Sequence, residues 1–372
     1  MKVLYVAYAR MPTEKAHGIQ IASMCSALGD QGAQVTLLVP TWTNHLTVSV
    51  FDYYSITSNF SIEYLPAGPH LPGRLGYVLR KILFAMSVFR RAGRVECDAV
   101  ITRSQWVTWM LSRRCKVFYE IHDFPGLRRR FWWRLIRGAR GYISTNQFKA
   151  DKLCRIFGVS PKRVLVAPNG YEPKLFEFAA DKNELRRELS LPAHKRIVLY
   201  TGNVYGWKGV ETLAHAARML PELLFVFVGG TDRDIVRFRE EHKDAESILL
   251  VPHQRHSLVP RYLRAADILV LPNSASTIES RVYTSPVKLF EYLASGTPVV
   301  ASDLPSVREI VDERHVHFFA PDDATSLVQA LRDILVQPSE AATRAARGRE
   351  LVRAFSWDKR ARNILMHIRA LR

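Results

Sequence analysis

The chain has 372 residues, 48% of them apolar and 24% charged, with a formal net charge of +18. That length suits two domains with separate cores, and that composition excludes a disordered or fibrous chain. The cysteines Cys25, Cys97, Cys115 and Cys154 are scattered, with no CxxC pair and no histidine cluster, which excludes a disulfide frame or zinc site and predicts reduced, buried thiols in a cytosolic protein.

No run of about 18 uncharged apolar residues is present to span a bilayer. The first residues pass straight into a strand, so no signal peptide is expected. The charge is unevenly spread. Residues 70–140 hold sixteen Lys or Arg against four Asp or Glu, which is twelve of the eighteen net charges. Such a patch seeks a polyanion: an anionic lipid surface, a nucleic acid or a charged substrate.

In chain order, residues 2–7 read as a buried strand, 19–28 as a helix and 34–40 as a second strand, the alternation of a parallel sheet with crossover helices. No GxGxxG follows the first strand. Gly18 is expected in the loop just before the helix, either where backbone approaches a ligand or as an ordinary loop glycine. Residues 71–94 mix large apolar residues with arginines and fit either a helix lying in a membrane interface or an amphipathic helix facing the core. A second basic block, 127–140, sets Phe131, Trp132 and Trp133 among arginines, which favours a bilayer surface.

Residues 99–104 and 116–125 are expected strands with polar ends. Ligands collect at the carboxyl ends of strands in open α/β sheets, which marks Arg103, His122 and Asp123. Asn169 lies in a Pro-Asn-Gly turn closing the first domain, and residues 173–192 read as linker plus a short helix.

The second domain begins with a strand, a loop holding Gly202 and Asn203, and Lys208 just before a helix whose N-terminus can share a phosphate with it. A further strand ends in Gly229-Gly230, which permit close approach of backbone to ligand, and the next leads to His253. In residues 278–305, Thr284-Ser285-Pro286 reads as a helix start, with Ser285 capping and Pro286 in the first helical position. Val287, Phe290, Glu291 and Ala294 share a face, and Gly296 ends the helix before a buried strand. The exposed N-terminus suits an anion, and Glu291 suits the two hydroxyls of a ribose.

The stretch YTSPVKLFEYLASGTPVVASDLPSVREIV resembles the nucleotide-binding signature of the retaining glycosyltransferases of family GT4, which have the GT-B fold. The resemblance implies an α/β protein of two Rossmann-like domains facing across a cleft. The first would be an acceptor-binding domain at 1–175 that includes the C-terminal helix, 356–372, crossing back to it. The second would be a nucleotide-sugar domain at 190–355. The reaction implied is transfer of a sugar from a nucleotide-diphosphate donor to a hydroxyl acceptor with retention. His122 matches the family's active-site histidine, Lys208 its phosphate lysine, Glu291 its second glutamate, and the segment 251–255, with His253, its base contact. Tyr283 stands where the family has its first glutamate, and Asn203 where it has an arginine; Arg281, Lys288 or an arginine of the first domain would compensate for that lost charge.

Catalytic roles therefore fall on His122, Lys208 and Glu291. Donor contacts fall on Gly18, Gly202, Asn203, Lys208, Gly230, His253, Tyr283, Thr284, Ser285, Pro286, Val287 and Glu291. Arg103, His122, Asp123 and Asn169 fall on the acceptor or sugar side. No DxD motif is present, so a metal-independent site without a cofactor is expected, with the nucleotide sugar as co-substrate. The expected acceptor is a glycan or lipid-linked hydroxyl at the inner face of the cell membrane, held there peripherally by an anionic surface. Nucleic acid is not expected, because the basic blocks lack a reading motif. Two other readings remain: a nucleotide-sugar epimerase on the same architecture, and a non-catalytic nucleotide-sugar-binding subunit.

Overall fold

The computed structural model describes residues 1–69, 72–125 and 128–371. His70, Leu71, Gly126 and Leu127 of the basic segments, and Arg372 at the C-terminus, lie outside the described residues. The chain divides into two compact units, Met1–Asn169 with Trp357–Arg372, and Gly170–Ser356. Each is a parallel sheet covered by helices, the two Rossmann-like domains the signature implied.

The first unit holds β1 (Lys2–Val6), β2 (Gln34–Pro40), β3 (Ser61–Leu65), β4 (Ala99–Thr102), β5 (Val117–Ile121), β6 (Gly141–Ser144) and β7 (Val164–Val166). Their order is β3-β2-β1-β4-β5-β6-β7, all parallel. β4, β5 and β6 are buried along their whole length, as strands covered on both faces must be. Strand order reverses between β1 and β4, so the carboxyl ends of these strands open on the crevice where such sheets bind ligands. β3 lacks a continuous apolar run because it is an edge strand, and Arg91 holds its Glu63 with two hydrogen bonds of 2.6 Å.

Several expectations need correction here. The first helix spans Ala16–Asp30, so Gly18 lies in its first turn and not in a loop before it. A Cβ on Gly18 would sit 2.0 Å from the Tyr54 hydroxyl, which is fixed by hydrogen bonds to and from the Thr13 backbone. Close helix packing therefore accounts for this glycine.

The helix Gly73–Ala92 is mixed: Phe84, Ala85, Val88 and Ala92 are core, whereas Leu75, Tyr77, Val78 and Leu79 are exposed. In the helix Arg129–Ile136, Trp132 is buried and donates to the Tyr119 hydroxyl, and Trp133 stacks on Phe157 at 4.7 Å. These tryptophans face inward; Phe131 is the exposed ring of that trio. All four cysteines are free, but only Cys25 is buried. The C-terminal helix Trp357–Ala370 belongs to this unit and packs on Ala16–Asp30.

The second unit holds β8 (Ile197–Thr201), β9 (Leu224–Val228), β10 (Ile248–Val251), β11 (Ile268–Leu271), β12 (Val299–Ser302) and β13 (His317–Phe319). They run parallel in the order β10-β9-β8-β11-β12-β13. Alternate residues of β8 enter opposite cores: Val198 and Tyr200 on one face, Ile197 and Leu199 on the other. The expected linker is part of this unit. Phe176, Leu185 and Leu191 join its core, and a capping box at Asp181 and Glu184 starts the helix Lys182–Glu188.

Candidate functional site

In the second unit the site lies along the carboxyl edge of β8, β9 and β11. β8 ends at Thr201, whose N–H donates to the Tyr292 hydroxyl at 2.8 Å, and the chain then turns at Gly202 with φ 128°. Only glycine fits this crossing: Gly229, at φ 118°, abuts it so closely that a Cβ on Gly229 would meet the Gly202 carbonyl oxygen at 2.9 Å. Gly230 follows with φ 96°. Asn203 is held in the loop, its carbonyl accepting from the Tyr200 hydroxyl at 2.8 Å and its amide donating to the Tyr205 hydroxyl at 3.5 Å.

Lys208 closes a short helical turn, Gly206–Lys208, before the helix Val210–Met219. Gly209 between them has φ 73°, and a Cβ there would lie 1.6 Å from the Pro272 carbonyl oxygen. The lysine is thus anchored to the loop that follows β11. Its ammonium lies 3.8 Å from the Trp207 ring centroid, and burial lowers its pKa to about 8.

The helix of the signature spans Val287–Ser295. Pro286 occupies its cap position, not its first helical one, so Ser285 stands one residue ahead of the cap position expected for it. The physical reason is the extended backbone of Pro286 at ψ 116°. Ahead of it, Glu279–Tyr283 forms a wide turn in which the Thr284 N–H and hydroxyl both donate to the Glu279 carbonyl, at 2.8 and 2.7 Å. That turn buries Tyr283 and leaves Glu279 and Arg281 exposed. Such wide turns recur at functional sites.

Lys288, in the first turn of Val287–Ser295, is the cation that converges with Lys208. Its buried Nζ has no hydrogen-bond partner, lies 4.0 Å from the Tyr200 ring centroid and packs on Gly202. Burial, then the charge of Lys208, hold its pKa well below the ordinary lysine value, with Glu291 pulling the other way. Neither lysine has an ion-pair partner among the described residues. Glu291 is already engaged: its Oε1 lies 2.5 Å from His256 Nε2, both side chains nearly buried. His256 was not marked by sequence reasoning, which stopped at the exposed His253, three residues earlier.

In the first unit, Arg103 and His122 are brought together by Glu120, which sequence reasoning missed. Glu120 is 1% exposed and accepts from Tyr5 Oη at 2.8 Å, Arg103 Nε at 3.1 Å and Arg360 Nη2 at 2.6 Å, with His122 Nε2 at 3.4 Å. Burial raises its pKa, but Arg103, His122 and Arg360 outweigh that and hold it well below the usual carboxylate value. Burial and then Arg103 lower the His122 pKa to about 3, so the imidazole is neutral near neutral pH. Its backbone carbonyl accepts from the buried Lys149 ammonium at 3.2 Å. A carboxylate inside the apolar run Phe118-Tyr119-Glu120-Ile121 was the available signal, since a buried charge demands partners. Asp123 is exposed and Asn169 buried; Arg360 fixes the approach to Asn169 by donating to Ala167 O and Pro168 O at 3.2 and 3.0 Å.

Among the described residues one trio, Glu211, Glu241 and His242, brings ligand atoms within 4.8 Å of one another. Arg218 Nη1 lies 3.1 Å from His242 Nδ1, so a guanidinium already faces that group.

Two family models match the chain, one of glycosyltransferase family 4 over residues 18–175 and one of glycosyl transferases group 1 over residues 181–351. The chain belongs to this glycosyltransferase family. A relative, the D-inositol 3-phosphate glycosyltransferase of Xylanimonas cellulosilytica, is 24% identical over 93% of this chain and 89% of its own length. Further relatives are matched over little more than half of their own length. Among solved structures, the sucrose-phosphate synthase of Thermosynechococcus elongatus superposes with a TM-score of 0.82 at 22% identity, over 100% of this chain and 98% of that one. The Anabaena HepE protein in complex with UDP-glucose gives 0.77 at 17% identity, over 100% of both chains. At these identities the likeness shows the GT-B fold alone.

Proposed function

We propose that this glycosyltransferase moves a sugar from a nucleotide-diphosphate donor to a hydroxyl acceptor, with retention and without a metal. The donor is assigned to the second unit, and the acceptor, with the sugar-side residues Arg103 and His122, to the first. The observation that carries this reading is the pair Lys208 and Lys288: two cations beside glycine backbone and a helix N-terminus, with no carboxylate pairing either among the described residues. Burying an ammonium without a partner is unfavourable, and a bound diphosphate removes that cost for both.

In the reaction, the bond between the sugar's anomeric carbon and the phosphate oxygen breaks as the acceptor oxygen attacks from the same face. The acceptor proton passes to the leaving phosphate. The growing charge on that phosphate is met by Lys208, Lys288 and the N-terminus of Val287–Ser295. Glu291, oriented by His256, takes the ribose hydroxyls. UDP-glucose, bound in the HepE structure, is the first donor to try.

The test is transfer by Lys208→Ala and Glu291→Ala with a competent donor, in buffer containing EDTA. The wild type should turn over and give a product of retained configuration by NMR, while each variant loses about a hundredfold or more. Near-normal turnover in both folded variants would sink the mechanism.

We further propose that the protein works as a peripheral protein on the cytoplasmic face of a membrane. No described helix is long and apolar enough to cross one. Support comes from the exposed Leu75, Val78, Leu79, Trp109 and Phe131, set among the exposed arginines of helices that pack in succession in the first unit.

A further inference from the structure

The carboxyl edge of the first unit's sheet carries a group of side chains that the transfer reading leaves unused. Tyr8 lies two residues beyond β1 and Trp42 two beyond β2, and these strands are neighbours. Their rings meet edge to face at 5.0 Å. The helix Gly73–Ala92 turns Tyr77, Arg80, Lys81 and Phe84 toward them, four positions on one helical face. Tyr77 is itself exposed, as are Leu75, Val78 and Leu79 of the same turns. The Tyr77 ring lies 6.0 Å from Tyr8, the Arg80 guanidinium 5.6 Å from the Trp42 centroid, and the Lys81 ammonium 4.4 Å from the Tyr77 centroid.

Two features set this group apart from ordinary packing. First, Tyr8 Oη, Trp42 Nε1 and Arg80 Nε are all buried without a hydrogen-bond partner. Two of these atoms can only donate. Burial raises the Tyr8 pKa, so its hydroxyl also keeps a proton to give. Three orphaned buried donors in one place are rare, and they call for an acceptor-rich ligand. Second, neither Arg80 nor Lys81 has an ion-pair partner among the described residues. Glu14, a carboxylate a few residues beyond β1, is taken by Arg10 and His45.

We propose that Tyr8, Trp42, Tyr77, Arg80 and Lys81 form an acceptor subsite for a sugar or polyol that carries a phosphate or carboxylate. The rings offer faces for the C–H side of a sugar, as aromatic side chains do for apolar ligand surface. Arg80 and Lys81 neutralise the anion, and the orphaned N–H and O–H groups bond its oxygens. The subsite lies on the sheet edge that also carries Arg103 and His122, since β1 pairs directly with β4, and β4 with β5. It rests on the glycosyl-transfer reading and adds to it the chemical class of acceptor.

The experiment measures binding by calorimetry for the whole protein and for Arg80→Gln and Trp42→Phe. The probes are glucose 6-phosphate, glucuronate, glucose and inorganic phosphate, each checked against the ligand-free melting temperature. Wild type should bind an anionic sugar about tenfold or more tighter than glucose or inorganic phosphate, and Arg80→Gln should lose about tenfold to a hundredfold. Trp42→Phe, which keeps the ring and removes the N–H, should lose less. Failure of both anionic sugars to bind, or equal binding by Arg80→Gln, overturns the proposal. So does Arg80-dependent binding to phosphatidylglycerol vesicles without binding of either soluble sugar, which would make the group a membrane contact. UDP binding is read separately. UDP without anionic-sugar binding sinks the subsite and spares the transfer reading, whereas the reverse sinks the transfer reading and leaves an anionic-sugar site.

Discussion

Lys208 and Lys288 compete for one stock of positive charge. Burial lowers Lys208 to about 8, and the buried Lys288 is disfavoured further by its neighbour. An anion bound between them raises both values, so binding takes up protons wherever the free protein has already lost them. For Lys208 the free ammonium is intact below about pH 8, and affinity falls as pH rises through that value. UDP affinity measured from pH 6.5 to 9.5 should be flat at first, then decline by up to about tenfold per unit. Calorimetry in buffers of different ionisation heat should show proton uptake on the alkaline side. An affinity that stays level to pH 9.5 would remove Lys208 from the diphosphate contact. Lys208, Glu291 and His122 were legible as candidates because each stands at a motif position or a strand end. His256 and Arg360 were not: their partners lie 35 and 240 residues away along the chain, and no local pattern encodes such a pairing.

The C-terminal helix shows the same lesson one level up. The resemblance implied that this helix returns to the first unit, and it packs there on Ala16–Asp30; what residue order did not show is Arg360, which reaches Glu120 and two backbone carbonyls. Arg140 adds a contact from its Nε to Leu371 O at 2.5 Å. Breaking a buried pair from one side leaves the other charge uncompensated. Arg360→Met should therefore destabilise the protein by about 3 kcal/mol or more in denaturant unfolding, even though Arg103 remains on Glu120. A loss below about 1 kcal/mol would mean that Glu120 is satisfied without the helix. Most strands were readable, since a buried parallel strand is a short apolar run closed by turn residues. β3 escaped because an edge strand needs no such run. Trp132 and Trp133 misled for a related reason: a short helix shows its arginines to any reader, but which way its rings turn depends on Phe124, Tyr142 and Phe157, supplied by other elements.

Across the whole molecule, charge is the force with the longest reach. A net +18, concentrated in residues 70–140, attracts an anionic surface over a distance set by salt. The screening length is about 30 Å at 0.01 M and about 10 Å at 0.1 M. The protein should sediment with phosphatidylglycerol vesicles at low ionic strength and be released as salt rises, whereas neutral vesicles should not retain it. Absence from the pellet at 0.01 M salt would end the membrane proposal and leave the transfer chemistry standing. Architecture, two sheets of parallel strands and the family to which they belong were readable from residue order, because apolar periodicity and the signature around Glu291 are properties of neighbours in sequence. Folding decided the rest: that residues 173–192 complete a core, that Gly18 serves a tyrosine, that Glu120 gathers Arg103, His122 and Arg360, and that Lys288 ends beside Lys208. Each of these joins groups far apart in the chain, and burial, which makes an unpaired charge costly, appears only once the chain has closed on itself.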